Sequence, residues 1–192
     1  MKRFLAVLML VVMMCGCVGL AEGKTFDNTI LEGLEGYSYD KFDKSWTYGS
    51  ADIENSGLLF GAMATGEKND VSFVTLMIGL ENKGKTITDI EKVAIIADDK
   101  LITISKMQYF ASAYIIELTT EEMEFLQLLV NAKEISMRIY ADSISAGYVD
   151  FELTEDGMAS LRTVLENFYS LDLLSFTDEK ILDTVITIES AD

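Results

Sequence analysis

The apolar and polar positions along the chain spell out strands first and helices later. Residues 71–80 are apolar on both parities, Phe73 and Met77 on one and Val74, Leu76 and Ile78 on the other. Such a run suits a central strand covered on both faces. The segment 37–48 carries Tyr37, Tyr39, Phe42, Trp46 and Tyr48 and reads as one aromatic strand, and 57–65 as another. Residues 90–97 and 101–105 flank Asp98-Asp99-Lys100, which reads as a hairpin turn, and 109–118 adds a further strand. Ile135, Met137 and Ile139 alternate with Glu134, Ser136 and Arg138. Val149, Phe151 and Leu153 alternate with Tyr148, Asp150 and Glu152. Alternation of this kind predicts half-buried strands, joined here around residues 143–147.

Two helices follow strands, and their starts share a grammar. Leu118-Thr119-Thr120-Glu121-Glu122-Met123 opens the first and Leu153-Thr154-Glu155-Asp156-Gly157-Met158 the second. In each, a Thr caps the N-terminus, acids in the first turn oppose the helix dipole, and Leu can staple to Met. Thr119 with Glu122 also fits a capping box. The first helix buries Leu126, Leu129 and Val130. The second sets Met158, Leu161, Val164, Leu165, Phe168 and Leu171 at three- and four-residue spacing, an amphipathic stripe. Strand, strand, helix occurs from Ile90 and again from Ile135. Only the helix starts match well, which favours shared capping over a duplication.

These elements predict an α+β fold: an antiparallel or mixed β-sheet of about six to eight strands packed by two amphipathic helices, after an N-terminal signal peptide. The expected division is a signal peptide over 1–21, a flexible lead-in over 22–36 and a single globular domain over 37–192. The leader reads from Lys2 and Arg3, followed by an apolar run from Phe4 to Met14. That run is short for a membrane span, which needs about 20 residues. Two maturation routes fit. Cleavage after Ala21 leaves Gly19 and Ala21 as the small residues of the site. Alternatively, Met14-Cys15-Gly16-Cys17 resembles a lipobox with Cys17 as the lipidated residue, although Met14 stands where Leu is usual.

The leader changes the composition. The chain of 192 residues carries a formal charge of −17. Loss of 1–21 removes Lys2 and Arg3 and none of the 32 acidic residues, leaving −19. Both Cys lie in the leader, so no disulfide holds the exported part. A charge of this sign repels nucleic acid and anionic lipid. It favours a basic partner and identifies none. The expected partner is an unidentified protein or glycan outside the cytoplasm, with membrane contact only through the leader or a lipid on Cys17. The expected location is secreted or extracytoplasmic.

The chemistry that remains is narrow. The chain has no His, which removes Ser-His-Asp and Cys-His hydrolases and His-ligated zinc. Gly79-Leu80-Glu81-Asn82-Lys83-Gly84-Lys85-Thr86 matches the phosphate-cradling pattern G-x-x-x-x-G-K-[ST]. The residues after it are β-type and leave no room for the required helix, so it reads as a turn between strands. Ser38-Tyr39-Asp40-Lys41 fits S-x-x-K by chance, because its Ser-Asp-Asn and Lys-Thr-Gly partners are missing. No EF-hand loop is present. The carboxylate clusters at Asp40 with Asp43, Asp98 with Asp99, and Glu121, Glu122 with Glu124 are the candidates for a two-carboxyl hydrolase. Each also has a simpler role, as strand face, hairpin turn and helix start.

Among the aromatics, Phe42 and Trp46 are assigned to the core. Tyr37 and Tyr39, on the other parity, form the candidate exposed binding surface. The expected function is a non-catalytic binding or interaction domain, with no cofactor and no metal. A small carboxylate-based glycan hydrolase and a lipoprotein accessory subunit of a surface assembly are the alternatives.

Overall fold

The computed structural model describes residues 25–53, 57–67, 69–110, 113–177 and 182–191. The leader, including Cys17 and both cleavage sites, lies outside the described residues.

Among the described residues, twelve antiparallel strands form two sheets, accompanied by two α-helices. The first sheet runs β1 (Tyr37–Asp40), β2 (Ser45–Ile53), β3 (Leu58–Glu67), β4 (Phe73–Asn82), β9 (Ala113–Glu117), β8 (Gln108–Phe110), with the short β5 (Lys85–Thr86) folded onto the end of β4. The second runs β11 (Tyr148–Leu153), β10 (Ile135–Ala141), β6 (Ile90–Ala97), β7 (Lys100–Ser105), β12 (Val185–Ser190). Helix α1 is Met123–Asn131 and α2 is Glu155–Ser170. The α+β class and the two helices match the sequence pattern. The strand count does not: two sheets stand where one of six to eight strands is expected.

Register explains how one core serves both sheets. Trp46 and Tyr48 of β2 lie opposite Gly66 and Ala64 of β3, and Ala64, Ala62 and Phe60 lie opposite Val74, Leu76 and Ile78 of β4. These side chains share one face. They join Val93, Ile95, Ile102, Ile104, Met137 and Ile139 of the second sheet in a single apolar core. Helix α2 adds its stripe, Met158, Leu161, Val164, Leu165 and Phe168, all buried. Its Phe168 meets Tyr48 edge to face at 6.1 Å. Helix α1 adds Phe125, Leu126 and Leu129, while Val130 is only half-buried. The Tyr114 hydroxyl ties the sheets together by accepting the Ile90 N–H at 2.8 Å.

The apolar parities of β4 are both used. Its second parity places Met77 with Met63 and Ala113 in a smaller buried cluster, flanked by Leu59, Phe110 and Ile115. The segment before β1 contributes to the main core as well. Phe26 and Leu31 are buried, and 28–31 form a 3-10 turn. Phe26 packs on Trp46 and Phe176 at 5.3 and 5.4 Å, so its apolar surface is the reason this part of the lead-in is held. The halves containing α1 and α2 are built differently. β10–β11 leads directly to α2, whereas the β8–β9 hairpin of the other sheet stands between β7 and α1.

The capping box is present at the 3-10 turn that leads into α1. Thr119 N–H and Oγ1 both donate to Glu122 Oε2, at 2.9 and 2.8 Å, and Oγ1 accepts the Glu121 N–H. Thr119→Ala is expected to cost about 1 kcal/mol of folding stability in a urea titration, the usual value of an N-cap. Thr119→Ser should retain most of it.

Candidate binding surface

The phosphate-loop pattern is settled by its backbone. Lys83 and Gly84 take φ of 51° and 77°, the two-residue hairpin turn with both central residues left-handed. Thr86 and Lys85 then pair back with Glu81 and Asn82. A strand follows the turn, so no helix N-terminus faces it. Ser38 lies inside β1, not at a helix start.

The aromatic segment is a hairpin, not one strand, and the parity count fails across its turn. β1 and β2 are joined by 41–44, where Lys44 is left-handed. Phe42 sits on that loop and is 84% exposed, which corrects its assignment to the core. Tyr37 lies opposite Tyr48 and Tyr39 opposite Trp46, so both tyrosines extend the core face toward the sheet edge. Tyr37 is half-buried, packs against the core and accepts a hydrogen bond from Asn28 at 3.1 Å. Tyr39, nearer the hairpin tip, is 46% exposed. The two are therefore not an isolated flat platform.

The carboxylates separate into local roles. Asp40 Oδ1 accepts the Phe42 and Asp43 N–H groups. Asp98, left-handed in the β6–β7 turn, accepts the Lys133 and Glu134 N–H groups at 3.0 Å each and so pins the α1–β10 connection. Glu122 belongs to the capping box. Asp98, Asp99 and Glu124 do line one groove of about 260 Å³, together with Gln127 and Asn131. Among the described residues, no group of three or more His, Cys, Asp or Glu is placed to hold a metal ion. Nor is any helix among them long and apolar enough to cross a membrane.

A more developed surface lies on the outer face of the second sheet. Rows of side chains run across β11, β10, β6 and β7 in register. Tyr148, Tyr140, Lys92 and Ser105 form one row. Asp150, Arg138, Ala94 and Thr103 form the next, and Glu152, Ser136, Ile96 and Leu101 the third. The Lys92 ammonium stands 4.2 Å from the Tyr140 ring centroid, and the Arg138 guanidinium 4.1 Å from that of Tyr148. The two rings are 6.2 Å apart. Arg138 also donates from Nε and Nη2 to the two oxygens of Asp150, at 2.6 and 2.8 Å. These bonds hold the Asp150 carboxyl below the ordinary aspartate range and raise the already high Arg138. The fork fixes Arg138, and Arg138 fixes the plane of Tyr148.

This face is open to solvent, yet Ile96 and Tyr148 are 42% and 40% exposed and Leu101 and Tyr140 half-exposed. Ala94, Thr103 and Ser136 make a low floor beside the tyrosine ridge. Sequence reading counts this parity simply as the polar side. The signal it passes over is that the solvent side of β10 and β11 carries tyrosines and an arginine instead of short polar residues.

Burial leaves a separate mark on two core tyrosines. It raises the phenols of Tyr48 and Tyr114 above the ordinary range, and the hydrogen bonds from Asn167 and from the Ile90 N–H offset part of that. An unfolded tyrosine titrates near 10. The stability from keeping these two neutral is therefore complete below about pH 10 and is lost as pH rises through their higher folded values. In an alkaline titration, part of the tyrosinate absorbance should appear late, together with the loss of near-ultraviolet circular dichroism. Tyr114→Phe should reduce that late step.

No family model matches the chain, and neither a curated protein nor a solved structure does.

Proposed function

We propose that the chain is an exported, non-catalytic interaction domain that binds a protein partner through the outer face of the second sheet. The leader carries the export part of the reading. The lysine–tyrosine and arginine–tyrosine stacks of β6, β10 and β11 carry the binding part. Tyr and Arg are, with Trp, the residues enriched where interfaces derive their energy, because each presents a large planar surface with polar groups at its edge. Here they are already ordered before any partner arrives, which lowers the cost of binding. Ile96 and Leu101 supply apolar area beside them, and Glu152 and Glu189 lie toward the rim.

The test is recovery of a partner from the envelope and medium of the native source. The parent chain is compared with a Tyr148→Ala, Arg138→Ala double variant whose melting is checked first. Loss of a discrete partner with the fold retained supports the reading. Equal recovery by parent and variant, or glycan hydrolysis abolished by Glu124→Gln in the Asp98–Glu124 groove, overturns it.

A further inference from the structure

We infer that the tip of the β1–β2 hairpin, with Phe42 at its apex, is a contact for the surface of a phospholipid bilayer. This rests on the lipoprotein route of maturation, in which a lipid on Cys17 anchors the N-terminal end of the exported chain.

The loop is built to hold Phe42 outward. Asp40 Oδ1 accepts the Phe42 N–H at 2.8 Å and the Asp43 N–H at 3.3 Å, and Lys44 closes the loop in the left-handed region. A side-chain acceptor that occupies two successive loop amides gives the loop a defined shape. In that shape Phe42 does not fold back on the domain. At 84% it is the most exposed large apolar side chain among the described residues. Burying one Phe ring is worth about one to two powers of ten in an equilibrium constant, and here the domain leaves the ring largely in water.

The neighbours suit a bilayer surface. Lys41 holds its ammonium 5.3 Å from the Phe42 ring centroid, and Lys44 follows at the other side of the loop. Lysines beside an apolar apex can lay their stems along it and reach phosphate oxygens. Tyr39, just before the loop, is exposed, and tyrosine favours the headgroup level.

Chain order provides the remaining affinity. Thr25, where the described chain begins, lies eight positions after Cys17. Fully extended, that stretch spans at most about 28 Å. An anchored domain therefore stays within reach of the bilayer, and a contact too weak to recruit a free protein becomes effective at that local concentration. The charge of −19 left once Lys2 and Arg3 are removed points to a bilayer of neutral lipid and not an anionic one.

The experiment uses the Phe42→Trp chain in its matured form, purified from the native envelope and reconstituted with phosphatidylcholine vesicles. The only native tryptophan, Trp46, is buried and gives a constant background. Flotation reports anchoring, and quenching by brominated phosphatidylcholine reports the tip. The expected result for Phe42→Trp is flotation, a blue-shifted emission from the introduced indole and about a twofold loss of its intensity with brominated lipid. The indole of a separate Thr187→Trp variant, on the outer face of the second sheet, should remain unquenched. Flotation of Phe42→Trp without quenching overturns the tip contact alone. Equal quenching in the two variants means general adhesion and also overturns it. Failure to float overturns the anchoring and the contact together.

Discussion

Replacing Trp46 with Ala is expected to cost about 3–5 kcal/mol of folding stability, the range for deleting a large buried aromatic. Trp46 is fully buried on the core face of β2. It touches Phe26, which in turn packs on Phe176 beyond α2. One side chain therefore holds the N-terminal turn, the first sheet and the segment after α2. The cavity left by Ala cannot close without moving Phe26, so the cost should fall in the upper part of that range. The indole Nε1 has no hydrogen-bond partner among the described residues. Trp46→Phe should therefore lose much less, because the deleted N–H contributes no internal bond. Urea titrations followed by far-ultraviolet circular dichroism test both. A cost below about 1 kcal/mol for Trp46→Ala would contradict the packing.

Gly66→Ala is the second large effect, expected at about 2–3 kcal/mol from overpacking. Gly66 lies directly opposite Trp46 in the β2–β3 register. The indole occupies the space that a side chain at 66 would need. A Cβ there would meet the Trp46 ring at 2.6 and 2.7 Å and collide with the Asp70 carbonyl oxygen. The backbone oxygen cannot retreat easily, since the Asp70 N–H is tied to Glu67 in the same turn. The two substitutions should not add. In a Trp46→Ala background the ring clash disappears and only the Asp70 collision remains. Gly66→Ala should then cost about 1 kcal/mol less than in the parent chain, as coupling between touching residues requires. Full additivity would contradict the close approach.

Particular residues show why much of the fold is legible in the sequence. Elements with purely local signals are clear: the α2 stripe repeats every three to four residues, and Thr119 with Glu122 specifies its own cap. β10 and β11 alternate cleanly because one face is core and the other solvent. Sequence reading fails where a period is carried across a turn without Gly or Pro. Lys41-Phe42-Asp43-Lys44 contains neither, and its turn depends on the Asp40 side chain, so two strands look like one. The same slip places Phe42 in the core and sets Tyr37 and Tyr39 apart from Trp46. Val185–Ser190 alternates as a strand should, but its place at the edge of the second sheet depends on pairing with β7, about 80 residues earlier. The outer face of the second sheet is hidden for the same reason. Lys92, Tyr140 and Tyr148 come from three strands and become neighbours only through register.

Photo-crosslinking from that face in the native envelope tests the interaction reading most directly. A photoreactive residue at Ile96, on the same face one row from Arg138 and two from the tyrosines, should give one discrete adduct that disappears when Tyr148 is changed to Ala. The same group at Glu166, exposed on α2, should give none. Equal labelling from both positions, or an Ile96 adduct indifferent to Tyr148, would contradict a binding surface on the second sheet.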